Sequence, residues 1–116
     1  MKLNRKAEKR KLDIAFAKYV VRRDKCCITC GKTTTLQCSH FFGRRSSGTR
    51  WDIQNCNAQC AGCHLQYHNL SPMPYTRSLI ERIGTESFER LEQKSNSPIK
   101  VTAGEMVILR KYFEEK

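Results

Sequence analysis

Two pairs of cysteines carry the clearest chemical pattern in the sequence. Cys27 and Cys30 form one Cys-x2-Cys pair, and Cys60 and Cys63 form the second. Thiolates at this spacing can reach the same ion, and two such pairs supply the four ligands of a tetrahedral zinc site. Four buried, reduced thiols are the alternative, but packing alone rarely repeats a ligand spacing. The pattern predicts a structural zinc ion whose four positions are filled by protein, so catalysis would need a second centre.

The other three cysteines leave part of this assignment open. Cys26 could replace Cys27 as a ligand, although its spacing from Cys30 is less usual. Cys38 and Cys56 have no partner at a ligand spacing, and we interpret them as small core residues. The odd total of seven cysteines argues against a framework made only of disulfides.

The three histidines of the chain could form the second centre. His64 and His68 are four residues apart, hence on one face of a helix, where their imidazoles can bind one divalent ion. His40 is then free to act as a general base on water, because its ordinary pKa lies close to working pH. The ion would stabilise charge on the phosphate and on the leaving oxygen. We expect Asn55 to orient His40 through a hydrogen bond from its side-chain amide. Without the surrounding motif, Asn55 would be interpreted as a turn residue.

The charge of the chain indicates a nucleic-acid partner. Lys and Arg number 22 against 11 Asp and Glu, which gives a net charge of +11. A generally basic soluble protein and a binder of acidic lipid are the alternatives. Arg44, Arg45 and Arg50 flank the predicted centre, and we expect them to contact DNA phosphates. The alternative for these arginines is an exposed, solubilising loop.

Length and composition predict one small domain over residues 1–116. It would comprise a basic N-terminal helix over residues 5–23, a metal-binding core over 26–69 and C-terminal helices over 74–116. The sequence starts with charged residues instead of an apolar leader, and it has no apolar run of membrane-spanning length. We therefore expect a cytosolic protein, in which thiols stay reduced, with no membrane contact and no small-molecule substrate.

Hydrophobic periodicity predicts the first helix. Over residues 5–23, Leu12, Phe16, Tyr19 and Val20 recur at steps of three and four. The opposite face is basic, and it is either a solvated face that covers the core or a surface that contacts phosphates. That face comprises Lys6, Lys9, Arg10, Lys11, Lys18 and Arg22.

Short elements are predicted for the central stretch. A strand is predicted over residues 33–42 and a short return strand over 51–53. Between them, residues 43–50 are too polar and too rich in glycine for regular structure. A short helix is predicted over residues 60–67; it would begin with the second cysteine pair and lead to the two histidines, His64 and His68.

Three helices are predicted for the C-terminal part. Gly84 ends the first, Thr85 caps the second, and Thr102 with Glu105 forms the capping box of the third. Their apolar stripes are Tyr75, Leu79, Ile80 and Ile83; Phe88 and Leu91; and Met106, Leu109, Tyr112 and Phe113.

The order of these motifs resembles that of the HNH, or ββα-metal, endonucleases, through Ser39-His40-Phe41, then Asn55, then Cys60-x2-Cys63-His64. The closer resemblance is to the phage NinG/Rap recombination endonucleases. It is carried by Cys27-Ile28-Thr29-Cys30-Gly31, the His40 segment and Arg50-Trp51-Asp52-x2-Asn55-x3-Gln59-Cys60-x2-Cys63. Pro74-Tyr75-x3-Leu79-Ile80-x-Arg82-Ile83-Gly84 and Thr102-x2-Glu105 extend it, so it spans roughly residues 26 to 113.

This resemblance implies an α+β, mostly helical fold with a small zinc-knuckle ββα-metal core and flanking helices. It implies Mg²⁺- or Mn²⁺-dependent cleavage of branched recombination intermediates, such as Holliday junctions and D-loops. By motif position, His40 is implied as general base, Asn55 as its orienting partner and His64 as a metal ligand. A twofold homodimer would supply the two symmetric cuts that a junction needs. A phage-encoded enzyme would act in the cytoplasm of the bacterial host.

Two positions depart from the family pattern. Ser39 stands where many HNH enzymes have a metal-ligating aspartate, so His68 or water would have to complete the shell. His64 stands where NinG-like sequences commonly have asparagine, which moves the chain toward the wider HNH group. The alternatives are therefore a non-catalytic zinc module that binds DNA as a recombination accessory factor, a less specific HNH nicking endonuclease, and an RNA-binding zinc protein.

Overall fold

The computed structural model describes residues 2–116, and this part of the chain contains five helices and one two-stranded sheet. The elements are α1 (Arg5–Asp24), β1 (Leu36–His40), β2 (Cys56–Cys60), α2 (Ala61–Asn69), α3 (Met73–Ile83), α4 (Thr85–Ser95) and α5 (Ala103–Glu115). This composition confirms the predicted α+β, mostly helical class. Within residues 2–116, no helix combines the length and the apolar character needed to span a membrane.

The sheet is an antiparallel pair that divides the molecule into two packed regions. Leu36 of β1 pairs with Cys60 of β2, and His40 pairs with Cys56 at the other end. All five residues of β2 are buried, although Asn57 and Gln59 are polar. Its sequence, Cys-Asn-Ala-Gln-Cys, alternates apolar and polar residues but contains no β-branched or aromatic residue, so its strand propensity is weak. This explains why residues 51–53 were wrongly predicted as the return strand; they form turns that precede β2.

On one face of the sheet, α1 packs against α5. Leu12, Phe16 and Val20 of the predicted α1 stripe are buried, and Tyr19 is partly buried. Phe16 contacts Phe113 edge to face with ring centroids 4.8 Å apart. α5 starts with the predicted capping box, in which Thr102 and Glu105 exchange hydrogen bonds of 3.1 and 2.9 Å. The prediction for Tyr112 was wrong, because this residue is 51% exposed, whereas Phe113 is buried as predicted. This core comprises Leu12, Phe16, Val20, Cys56, Val101, Met106 and Phe113.

On the other face of the sheet, α3 and α4 enclose an aromatic core. Tyr75 and Leu79 of α3 pack with Leu91 of α4, as the periodicity predicts. Gly84 ends α3 with a φ of +86°, a conformation that favours glycine. α4 begins directly after it, and the side chain of Thr85 makes no capping hydrogen bond, contrary to the prediction.

The carboxylate of Asp24 joins these layers. It is 2% exposed, and it accepts hydrogen bonds from the backbone amide of Ala58 in β2 at 2.8 Å and from Arg82 of α3 at 2.7 Å. Arg23 contributes a further bond at 2.7 Å. Burial opposes ionisation of Asp24, but these donors outweigh it and lower its pKa below the ordinary 3.8. One side chain therefore fixes the end of α1 to both β2 and α3.

The loop between the strands is held in place by the end of α4 and by the segment that follows it. Ser46 donates a hydrogen bond to the carbonyl oxygen of Ser95, and Ser47 accepts one from the amide of Ile99 at 3.0 Å. At Gly48, an added Cβ would lie 2.7 Å from the carbonyl oxygen of Ser97, so no side chain fits there without a shift. The loop therefore presents its arginines at a defined position.

Candidate functional site

The two predicted cysteine pairs meet at one point. The Sγ atoms of Cys27, Cys30, Cys60 and Cys63 all lie within 4.8 Å of one another. Those of Cys30 and Cys60 are 3.7 Å apart. Zinc–sulfur bonds of about 2.3 Å in a tetrahedron separate the sulfurs by roughly 3.8 Å. The donor set and the spacing fit a structural metal such as zinc, and we call this group the four-cysteine site.

Local backbone geometry presents the first pair of thiols. The backbone amide of Cys30 points at the sulfur of Cys27 at 3.5 Å, and Gly31 completes the turn with a φ of +80°. Burial raises the pKa of Cys27, but the amides of Cys30, Cys60 and Thr29 outweigh it and bring the pKa to about 7. Thiolate is the ligand form, so these amides favour metal binding. Cys26 is exposed and lies outside the group, which resolves the choice in favour of Cys27.

The second pair stands at the start of α2. Cys60 is the N-cap of the helix, and its sulfur accepts a hydrogen bond from the amide of Cys63 at 3.4 Å. This amide is the largest influence on Cys60 and lowers its pKa, whereas burial raises the pKa of Cys63. The positive end of the helix dipole also favours a thiolate at this position.

A groove between α1, β1 and α2 collects all three histidines. Its volume is about 390 Å³. His40 enters it from the end of β1, while His64 and His68 enter it from α2. The other residues that line it are Asp13, Ala17, Cys38, Gly43 and Arg44. We call it the histidine groove.

The ring of His40 is held in one tautomer. Its Nε2 lies 2.9 Å from the carbonyl oxygen of Arg50. A carbonyl oxygen can only accept a hydrogen bond, so Nε2 carries the proton and Nδ1 keeps its lone pair. Burial is the largest influence on this residue and lowers its pKa below the ordinary 6.5, despite the opposing effect of the Arg50 carbonyl. At neutral pH, His40 is therefore uncharged and basic at Nδ1.

Asn55 does not make the predicted bond to His40. Its side chain is fully buried and clamps the loop instead, because Oδ1 accepts from the amide of Phe42 at 2.9 Å. Nδ2 donates to the carbonyl oxygens of Phe42 and Thr49, each at 3.0 Å. Asn55 thus supports His40 indirectly, by fixing the backbone at Phe42, just after β1, and at Thr49, just before Arg50.

His64 and His68 form a pair of neighbouring imidazoles on α2. Their ring centroids are 4.9 Å apart. Nδ1 of His64 lies 2.8 Å from Oε1 of Gln37, which assigns the proton to Nδ1 and leaves Nε2 free as a ligand atom. Burial, followed by the neighbouring His68, lowers the pKa of His64. Among the described residues, no third His, Cys, Asp or Glu joins the pair within ligand distance.

Ser39 lies away from the histidine groove. It is fully buried and paired with Asn57 on the face of the sheet that packs against Tyr75. Strand alternation places it opposite to Cys38 and His40. In this backbone, a carboxylate at position 39 would point into the aromatic core, so the missing acidic ligand follows from geometry as well as from residue type.

The three predicted phosphate-binding arginines have different roles. Arg44 and Arg45 are exposed, as expected. Arg50 is committed internally, because it donates two hydrogen bonds of 2.6 and 3.0 Å to the carboxylate of Asp13 and is largely buried. Trp51 donates a third bond to Asp13 at 2.9 Å. Arg50 is therefore a structural residue that holds the loop on α1.

Sequence reasoning missed two residues that position the side chains around the histidine groove. Asp13 comes from α1, and nothing in its local sequence indicates that it meets Arg50. Gln37 orients His64, and its position two residues after Thr35 in a polar stretch gives no sign of this contact. Both contacts join segments that are far apart in sequence, so they depend on tertiary packing.

Comparison with known proteins identifies the family. The family model described as "Bacteriophage Lambda NinG protein" matches residues 2–116, so the chain belongs to this family of phage proteins. The protein ninG of Escherichia phage 933W is 34% identical over 77 residues, which are 64% of this chain and 38% of that protein. The protein ninG of Escherichia phage lambda is 32% identical over 77 residues, and that of Salmonella phage P22 is 34% identical over 73.

These relatives are longer than the matched region. The aligned part of the chain covers 36–38% of each of these three relatives. No solved structure matches the chain.

Proposed function

We propose that this NinG-family chain is a metal-dependent DNA endonuclease of the HNH type that cleaves branched recombination intermediates, such as Holliday junctions and D-loops. The site of action would be the cytoplasm of the phage's bacterial host. The observation that carries the proposal is the histidine groove: His40 is neutral with Nδ1 free, and His64 and His68 line the same groove. The succession of β1, β2 and α2 along the chain matches the order that the ββα-metal resemblance implies.

His40 supplies the proton transfer. Its Nδ1 accepts a proton from water as the water oxygen forms a bond to phosphorus, and the bond from phosphorus to the leaving sugar oxygen breaks. Nε2 keeps its proton and its hydrogen bond to the Arg50 carbonyl throughout. This fixed acceptor therefore stabilises the positive charge that forms on the ring. Asn55 contributes by holding Phe42 and Thr49, hence the loop that ends at Arg50.

His64 and His68 are the residues that would hold the catalytic ion. When bound, a divalent ion supplies charge stabilisation for the phosphate and the leaving oxygen. Gln37 orients His64 with Nε2 free, which fits a ligand role. Two imidazoles suit Mn²⁺ better than Mg²⁺, which prefers oxygen ligands, so we propose that Mn²⁺ is the better activator. Water and a phosphate oxygen would complete the shell.

The basic surface beside the groove supports DNA binding. Arg44 lines the histidine groove and also an adjacent depression of about 240 Å³ that includes Arg5, Lys9 and Arg45. This shared residue makes a continuous path for a phosphate backbone past His40. The net charge of +11 supplies long-range attraction along it. Two copies of the chain would make the paired cuts that resolve a junction.

A non-catalytic, zinc-containing DNA-binding module is the second candidate. It is favoured by the lack of a third ligand beside His64 and His68 among the described residues, and by the orientation of Ser39 away from the groove. Such a module would use the same basic surface without hydrolysis, as an accessory factor in recombination.

The test is cleavage of a labelled four-way junction beside a linear duplex of matched sequence, with Mg²⁺, Mn²⁺ or EDTA. The nuclease proposal predicts metal-dependent cutting that is faster on the junction and faster with Mn²⁺. Equal cutting of both substrates would reduce the proposal to a less specific nicking enzyme. Salt-sensitive binding without cleavage under either ion, by protein that retains zinc, would favour the accessory module.

A further inference from the structure

A second group of soft ligands lies next to His40. Cys38 and His40 are two residues apart on one face of β1, and Cys56 is the direct strand partner of His40. One ligand atom from each of the three lies within 4.8 Å of the other two. Neither cysteine belongs to the four-cysteine site, and neither has a part in the proposed hydrolysis.

The donor set suits a particular class of ion. Thiolate and imidazole ligands select zinc and similar soft or borderline ions, and they disfavour Mg²⁺. Zinc bonds of about 2.3 Å to sulfur and about 2.0–2.1 Å to nitrogen place tetrahedral ligands roughly 3.5–3.8 Å apart. Groups already within 4.8 Å reach that separation through small side-chain rotations.

The group is accessible from the histidine groove. Cys56 is fully buried, but Cys38 and His40 are partly exposed and line the groove. An ion can therefore enter from the groove and meet the buried thiol last. Three protein ligands leave a fourth position open for water, which is the arrangement of zinc sites that exchange ligands.

We propose that Cys38, His40 and Cys56 form a second, weaker site for Zn²⁺ or a similar soft divalent ion, and that occupancy of this site withdraws His40 from catalysis. The binding site stands on the cluster alone, whereas the inhibitory effect rests on the proposed nuclease function. An ion on Nδ1 takes the lone pair that would accept the proton of water. An ion on Nε2 displaces the proton that is donated to Arg50. In both cases, His40 loses its role as base.

Cobalt titration tests the binding site directly. The chain is first loaded with one equivalent of Zn²⁺, which fills the four-cysteine site, and is then titrated with Co²⁺ under reducing, oxygen-free conditions. Zinc binds such sites more tightly than cobalt, so the first ion stays in place. We expect a second equivalent to bind with a thiolate-to-cobalt charge-transfer band. An ion held only by His64 and His68 would give no such band.

Variants identify the ligands. Cys38→Ala should weaken the second site by at least tenfold, because even loss of a partner outside the ligand shell costs roughly 10–100-fold in affinity. His40→Ala should do the same, and it leaves both cysteines in place. Cys26→Ala is the matched control, since Cys26 is exposed and outside both groups. Zinc content of the four-cysteine site verifies that each variant is folded. Absence of the band in wild type, or an undiminished band in both Cys38→Ala and His40→Ala, would overturn the proposal.

The inhibitory effect is measured separately. In the Mn²⁺-activated cleavage assay, which uses protein already loaded with one equivalent of Zn²⁺, added excess Zn²⁺ should inhibit wild type. Cys38→Ala should need at least tenfold more added Zn²⁺ for half inhibition, relative to its own rate without added Zn²⁺. Equal sensitivity of the two proteins would overturn the regulatory half. If no cleavage occurs, the proposed function fails and inhibition with it, but the cobalt result still decides the binding site.

Discussion

His40 can act as a base only if one ring nitrogen has no proton, and the carbonyl of Arg50 determines which nitrogen that is. Arg50 also binds Asp13 through its side chain, so this one residue controls both the tautomer of His40 and the position of the loop. The proposed chemistry therefore depends on a backbone group that sequence motifs do not reveal. The position of the Arg50 carbonyl depends on the whole of residue 50, because the side chain that binds Asp13 and the carbonyl that binds His40 belong to the same residue.

Asn55 should behave as a structural residue. Asn55→Ala leaves the amide and the carbonyl of Phe42 without partners, at a cost of about 1–3 kcal/mol for each group that water cannot reach, whereas the Thr49 carbonyl keeps its bond from the amide of Asp52. We expect the free energy of unfolding to fall by at least about 2 kcal/mol, as measured by denaturant titration of the zinc-loaded protein. Gln54→Ala, at an exposed neighbouring position, is the control and should change little. An undiminished stability in Asn55→Ala would contradict the clamp.

Arg44 and Arg45 should bind phosphates, whereas Arg50 should not. Each phosphate contact that is removed should reduce the slope of log K against log salt concentration by about one unit, with little change between DNA sequences. Binding of junction DNA at several salt concentrations measures this slope for Arg44→Ala and Arg45→Ala. Arg77→Ala, which removes the same charge from an exposed position on α3, is the control. Equal slopes in all three variants would mean that only total charge matters.

At the scale of elements, Asp24 is the link between α1, β2 and α3. Asp24→Asn removes the charge that Arg23 and Arg82 surround, and breaking such a buried pair costs about 3 kcal/mol or more. Asp52→Asn breaks a pair with the exposed Lys94 and should cost less than about 1 kcal/mol. Urea unfolding at neutral pH measures both values, and similar losses in the two variants would contradict the role of Asp24.

The pH dependence of stability follows from the same contacts. The pKa of Asp24 is lowered in the folded state, so its contribution is fully present above the unfolded value of 3.8 and is lost as pH falls through the lower, folded value. Asp13 acts in the same direction, because bonds from Arg50 and Trp51 outweigh burial and lower its pKa. The gap in stability between wild type and Asp24→Asn should therefore narrow below pH 3.8. A gap that stays constant down to the lowest pH at which the protein folds would contradict this assignment.

Elements with a strong local signal were predictable from the sequence, whereas β2, whose signal is weak, was not. In α1, the buried apolar residues recur at steps of three and four. The start of α5 is marked by the capping box of Thr102 and Glu105. β2 has a weak signal, because Cys-Asn-Ala-Gln-Cys contains no β-branched or aromatic residue. Its polar residues Asn57 and Gln59 are buried through specific partners, Tyr75 and Thr29. The sequence thus placed the second strand too early.

The candidate site divides in the same way. The four-cysteine site was predictable, because its ligands come in two local pairs whose spacing is itself the signal. The roles of Asn55 and Arg50 were not, since Asn55 depends on the backbone of Phe42, 13 residues away, and Arg50 on the carboxylate of Asp13, 37 residues away. Position in a motif identified these residues as important, but only tertiary contacts determine what each one does.

At the scale of the whole molecule, the four-cysteine site joins the segment after α1 to the start of α2. Two small cores on opposite faces of a two-stranded sheet offer limited stability, so metal binding should contribute directly to folding. We expect one tightly bound zinc per chain, and loss of the cooperative thermal transition when a strong chelator removes it. Cys30→Ser should reproduce this loss, whereas Cys26→Ser should retain both zinc and the transition. An unchanged transition after complete removal of zinc would contradict a structural role.

The central claim is that His40 is the base of a nuclease, and its most direct test is the single-turnover rate of junction cleavage by wild type and His40→Ala. We expect His40→Ala to be slower by about 10²–10⁴-fold, to keep its zinc and its DNA affinity, and to recover part of its rate in added imidazole. Because burial lowers the pKa of His40, the wild-type rate should fall to half its plateau only at a pH below the ordinary histidine value of 6.5. An undiminished rate in His40→Ala, with DNA binding intact, would contradict the account.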